Sequence, residues 1–260
     1  MVKLLFEQNV SLVAFYGDKP PQLVALIQKL QTHLAKGELT KDCFIPYQLE
    51  QVHATIIGCE GLKTESGIID KWFYECRQET KYIDILGLTN YLQHQIVPTT
   101  IRFGGYDRVS NYNFLSRQQH LYFRSFQLQL AQTQTIPVLI GWSWDNDVTL
   151  AIDNLRRNLQ QFNLLHKYHD SPEAIDNDFY LRLGTLVRQP TSEQIDAIAT
   201  DIRNLLATQP PTYISITFED LAFARYQDLL LTPATTKVIP VTEISADRLQ
   251  QLYCDRVNSL

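Results

Sequence analysis

The chain has 260 residues, 45% hydrophobic and 20% charged, with a net charge of −5. That is enough chain to bury a core, in the proportions of an ordinary soluble globular protein, and too acidic to coat nucleic acid broadly, although a local basic pocket is compatible with it. No apolar run reaches the roughly 20 residues of a membrane helix, and Cys43, Cys59, Cys76 and Cys254 lack CxxC spacing, so no membrane, disulfide framework or metal is expected and reduced thiols in the cytoplasm are the default.

In chain order, Glu7 and Gln8 interrupt the first apolar run, which argues against a signal peptide. "NVSLVAFYG" (9–17) reads as a strand ending before two prolines. Leu23, Leu26, Ile27, Leu30 and Leu34 have helical spacing and run to a terminal Gly37. "VHATIIG" (52–58) is a strand, and it puts His53 and Thr55 on one face. Ile68, Ile69, Trp72 and Phe73 suggest a helix, and "TTIRFGG" (99–105) a strand. Between 106 and 135 lies an Asn-, Gln- and Arg-rich stretch placed at the surface, with Leu121–Phe126 beginning a hairpin strand. Its Arg108, Arg117 and Arg124 stand beside aromatics but form no recognisable RNA-binding motif.

The second half has the same order. "IPVLIGWSW" (136–144) is a strand, and its Trp142 and Trp144 read as core more readily than as base-stacking groups. Leu150, Ile152, Leu155, Leu159 and Phe162 mark a helix, and "DFYLRLGTLV" (178–187) a strand. The helix with Ile195, Ile198, Ile202 and Leu205 follows "TSE", and "TYISITF" (212–218) is a strand before an acidic turn, "FEDLAF". Each half reads β-α-β-α-β. The expected fold is α+β, two-lobed and duplicated, with mainly antiparallel sheets flanking a central cleft. The division falls near residue 135, with room for strand exchange between the lobes.

With "QVHATIIGCEG" and this element order, the chain resembles the 2H phosphoesterase superfamily, which includes 2′-5′ RNA ligase-like proteins and cyclic phosphodiesterases. The resemblance implies two facing strands, each bearing a His-x-Ser/Thr motif, that act without metal or other cofactor on cyclic or 2′-5′ phosphodiesters. One imidazole takes a proton from the attacking group and the other returns one to the departing oxygen, which suits a side chain titrating near neutrality. The Ser/Thr hydroxyls donate to phosphate oxygens.

His53 and Thr55 match the first motif. By element order the second falls on Tyr180 and Arg182; the competing alignment uses Ser215 and Thr217, and neither supplies a histidine. A phenol near pKa 10 is no base at pH 7 but can donate a proton, and a guanidinium grips phosphate with a fork of donors. Arg102 is a further candidate for substrate binding. The resemblance thus implies catalytic roles for His53, Thr55 and Tyr180, a phosphate-holding role for Arg182, and a nucleotide or RNA end as partner. The expected activity is weakened or altered. A non-catalytic nucleotide-, RNA- or protein-binding module of the same fold is the alternative.

Overall fold

The computed structural model describes residues 3–131 and 134–254. In chain order the elements are strands β1 (Leu4–Gln8) and β2 (Val10–Ala14), helix α1 (Pro21–Lys36), strands β3 (Phe44–Pro46), β4 (Ala54–Gly58), β5 (Gly61–Thr64) and β6 (Ile68–Asp70), helices α2 (Lys71–Arg77) and α3 (Ile85–His94), and strand β7 (Thr99–Phe103). A helical turn, α4 (Leu121–Arg124), precedes strands β8 (Phe126–Leu130), β9 (Thr135–Asp145) and β10 (Asp147–Val148). Helix α5 (Ala151–Asn158), strands β11 (Phe179–Arg182) and β12 (Gly184–Leu186), helix α6 (Ser192–Ala207), strands β13 (Thr212–Ile216), β14 (Leu221–Arg225) and β15 (Lys237–Pro240), and helix α7 (Ala246–Cys254) follow. Among the described residues no helix is long and apolar enough to cross a membrane.

The architecture is mixed α+β with antiparallel sheets. One sheet runs β15-β14-β2-β4, a small one β1-β5-β6, and the largest β13-β7-β9-β12-β3, with β8, β10 and β11 also paired to β9. Two strands explain the layering. β2 is buried at every position and β9 at its first nine, so both are covered on two faces. The length of β9 lets it serve several partners: Thr135–Leu139 pair with β8, Val138–Gly141 with β11, and Trp142 and Ser143 with β7.

The sheets do not follow the two halves of the chain. β14, from the C-terminal half, pairs with β2 and carries β15 at its other edge. β3 and β7, from the N-terminal half, pair with β12 and β9. Strands are therefore exchanged across residue 135. A β-α-β-α-β pattern records which segments are strands, not which edges they join.

Three local expectations are corrected. Ile68–Asp70 is strand rather than helix, because the Asp70 side chain caps α2 by accepting from the Phe73 amide at 2.8 Å. Residues 121–124 form a helical turn, capped by the His120 ring against the Tyr122 amide, and the strand starts at Phe126. The turn in "FEDLAF" ends at Asp220; Leu221 onward is strand β14. Trp142 is fully buried among Tyr106, Leu121, Ile136, Val138 and Ile140, as the core reading anticipated.

Helix α6 begins with a reciprocal cap: the Thr191 hydroxyl accepts from the Gln194 amide at 3.3 Å, and the Gln194 carboxamide oxygen accepts from the Thr191 amide at 3.0 Å. Its inner face buries Ile198, Ala199, Ile202 and Leu206. Thr191→Ala is expected to lower stability by about 1 kcal/mol, measured as a reduced urea midpoint with an unchanged slope.

Candidate functional site

The site starts from an irregularity in β4. This strand is at the edge of its sheet, and its pairing with β2 slips between Leu12↔Ile57 and Val13↔Thr55, leaving Ile56 as an extra residue. The carbonyls of Thr55 and Ile56 both accept from Arg156, on α5, at 3.2 and 2.6 Å. The same guanidinium donates to the carbonyls of Asp176 and Asp178 at 2.6 and 3.1 Å, and lies 3.6 Å from the Asp176 carboxylate. Phe179, the next residue, begins β11. One side chain, 1% exposed, thus joins the two strands that carry the sequence motifs.

Those strands meet at a cavity of about 100 Å³ whose lining includes His53, Thr55, Tyr180 and Arg182. On β11, Tyr180 and Arg182 are half-buried and alternate with buried Phe179 and Leu181, so the pleat turns both toward one side. The competing alignment does not converge there. Ser215 is exposed on β13 opposite Thr100, and Thr217 bonds Asp220. Arg102 is also absent from the lining: its guanidinium donates to the carbonyls of Gly104 and Gly105 at 3.2 and 2.6 Å and stacks over Trp144 at 4.1 Å. Local carbonyls and an aromatic face hold it on β7, so the expectation that it joins His53 is not met.

His53 sits just before β4, with Nδ1 2.7 Å from the Gln51 carbonyl. A carbonyl only accepts, so Nδ1 carries the proton and Nε2 the lone pair. Burial pushes the imidazole down to about 4; the Gln51 carbonyl opposes this, while Arg182 and Lys19 add to it. At neutral pH His53 is therefore an uncharged proton acceptor. Arg182 donates through Nη1 to the Leu229 carbonyl at 2.8 Å, while its Nε is buried with no partner among the described residues.

Sequence reasoning left other lining groups unassigned. His166, Lys167 and Tyr168, after α5, line the same cavity. His166 Nε2 is 2.8 Å from the Asp176 carboxylate. No periodic pattern marks a loop that folds back to a site; the cluster of titratable residues in "HKYHD" was the available signal. Arg156, Lys167 and Arg182 contribute positive charge to the wall, against a single carboxylate, Glu60. Glu60 is itself held by the Trp72 indole N–H at 2.7 Å. The balance favours an anion. A narrower recess of about 60 Å³ shares Lys167, Tyr168, Tyr180 and Arg182 and extends the groove toward Arg117 and Arg124. Both arginines are paired, Arg124 with Asp178 at 2.9 Å and Arg117 with Asp176 at 3.4 Å. Arg108 lies over the Tyr122 and Phe123 rings. A larger cavity of about 520 Å³, beside Trp144 and α5, carries one charged side chain, Asp145, and none of the motif residues. Among the described residues no group of three His, Cys, Asp or Glu side chains is placed to hold a metal ion.

No protein-family model matches the chain, and no curated protein matches it. Among solved structures, TT0787 of Thermus thermophilus is similar at a TM-score of 0.44 and 13% identity, over 89% of this chain and 93% of that one.

Two outcomes follow from the buried charges. Arg156→Ala leaves the carbonyls of Thr55, Ile56, Asp176 and Asp178 without this donor and takes one cation from beside the Asp176 carboxylate, which keeps His166 and Arg117, and is expected to cost about 3–5 kcal/mol in urea unfolding. The second concerns pH. His53 and His166 both lie near 4 in the folded state, His166 through burial and the Arg156 charge, whereas the unfolded chain binds these protons near 6.5. Stability therefore falls as pH drops from 6.5 to 4, by up to about 1.4 kcal/mol per pH unit for each imidazole. Burial pushes Asp70 up to about 7, so it takes up a proton on folding and opposes the trend by one proton. Urea midpoints are expected to be lower at pH 4.5 than at 6.5, and Asp70→Asn is expected to steepen the loss.

Proposed function

We propose that the cavity binds the phosphate of a cyclic-phosphate nucleotide or RNA end, and that the protein is a metal-independent phosphodiesterase of the 2H phosphoesterase kind with an altered second half-site. The convergence of His53 and Thr55, from one sheet, with Tyr180 and Arg182, from another, on one wall carries this reading. At about 100 Å³ the cavity is well below the roughly 300 Å³ at which whole drug-sized ligands are enclosed. It suits a phosphate group, with sugar and base extending along the groove past Tyr168, a residue 41% exposed whose ring is flanked by Lys167 and Arg117.

In this reading His53 Nε2 takes the proton of the attacking water. Thr55 and Arg182 donate to the phosphate oxygens. Tyr180 faces the departing oxygen. The absence of a motif histidine at position 180 favours the second reading, a nucleotide- or RNA-binding module without turnover. The four unpaired cysteines fit a cytoplasmic setting.

The test is turnover of 2′,3′-cyclic nucleotides and of short RNAs ending in a 2′,3′-cyclic phosphate, in the presence of EDTA. The expected result is slow hydrolysis that His53→Ala reduces by roughly 10²–10⁴-fold while binding persists, and binding that Arg182→Ala weakens. Binding without wild-type turnover selects the second reading. Neither binding nor turnover sinks both.

A further inference from the structure

We propose that His166, held by Asp176, is the second imidazole of this site, supplied by a loop in place of the motif strand. The inference rests on the phosphodiester reading above and adds a group that no motif alignment reaches.

Three observations carry it. His166 lines the same cavity as His53 and Thr55. Its Nε2 is 2.8 Å from the Asp176 carboxylate, which fixes the N–H on that nitrogen and the lone pair on Nδ1. That Nδ1 is buried with no partner among the described residues. An orphaned buried acceptor costs about 1–3 kcal/mol. Neither the pair nor the orphaned nitrogen is the argument by itself: His169 makes the same contact with Asp153 at 2.8 Å and its Nδ1 is likewise without a partner among the described residues, yet it does not line the cavity.

The loop is as fixed as a strand would be. Leu164 and Leu165 are fully buried just before His166, and His169 anchors the loop to α5 through Asp153. Arg157 bonds Asp153 at 2.7 Å and the carbonyls of Pro172 and Ala174 on the returning segment. Burial alone would raise the Asp176 carboxyl, but the His166 hydrogen bond and the Arg156 charge outweigh it and hold the group well below the usual carboxylate range. An ionised carboxylate behind an imidazole orients it and stabilises its protonated form, as in the Ser-His-Asp arrangement.

The step balances without a co-reactant beyond water. The water oxygen bonds to phosphorus and the bond from phosphorus to one ribose oxygen breaks. His53 Nε2 takes the water's proton, and protonated His166 gives its Nδ1 proton to the departing oxygen. Exchange with solvent then restores both imidazoles. In the free protein burial and Arg156 keep His166 neutral at pH 7, and a bound phosphate monoanion pulls the other way.

The first measurement is imidazole ¹⁵N NMR of the wild-type protein titrated with inorganic phosphate. Shifts at both His53 Nε2 and His166 Nδ1 are expected. A shift at His53 alone overturns the role of His166 and leaves the phosphate reading standing; no shift at either overturns both. The second is His166→Gln, whose amide keeps a donor near the Asp176 carboxylate but cannot titrate. With a cyclic-phosphate substrate, kcat is expected to fall roughly 10²–10⁴-fold with KM within a few-fold and an unchanged melting temperature. A kcat within a few-fold of an active wild type overturns the proposal.

Discussion

A guanidinium that reaches almost no water must find its partners in the protein, and Arg156 is 1% exposed. Removing such a cation from water costs several kcal/mol, which is offset only when geometry and hydrogen bonding are both good. Here the offset comes from four carbonyls and a carboxylate, and these belong to the two segments whose separation defines the cavity. The bulge at Ile56 is part of the same arrangement. In a regular strand successive carbonyls point to opposite edges; the extra residue lets two neighbours reach one side chain. The spacing of β4 and β11 therefore depends on a residue that lies on neither strand.

The acidic residues before β11 continue this arrangement outward. Asp176 accepts from His166 at 2.8 Å, and Asp178 from Ser116, Trp142 and Arg124 at 2.5, 2.8 and 2.9 Å. The Asn-, Gln- and Arg-rich surface segment is thereby tied to the core strand β9 and to the lead-in of β11. On the opposite wall, the loop between β14 and β15 presents three successive carbonyls inward. Leu229 is bound by Arg182, Leu230 by Gln51 and Leu231 by Tyr16. Arg182 is thereby held to this loop through one of its nitrogens.

Much of the frame was legible because its signals are local. Continuous apolar runs announced β2, β4 and β9, helical spacing announced α1 and α6, and period-two alternation placed Tyr180 and Arg182 on one side of β11. Element order then chose Tyr180 and Arg182 over Ser215 and Thr217, and the cavity contains the former pair. What stayed hidden is non-local. Nothing around Ile56 marks a bulge, because a bulge is a relation between two strands. Arg156 sits on a helix whose sequence reads as amphipathic and solvated. His166 lies in a loop whose path is set by Asp153 and Arg157 rather than by propensity. Arg102 misled because strand alternation indicates a face without indicating what that face meets.

The exchange of strands between the halves bears on how the chain is made. β2 finds β4 within the same stretch of newly synthesised chain, but its other neighbour, β14, is made much later. Until then an edge built from Val10–Ala14, apolar except for Ser11, has no hydrogen-bonding partner of its own. Such edges pair readily with other chains, and long-range pairings of this kind form slowly. The segment left with this open edge during synthesis is thus the one on which β4, and with it Thr55, is laid down.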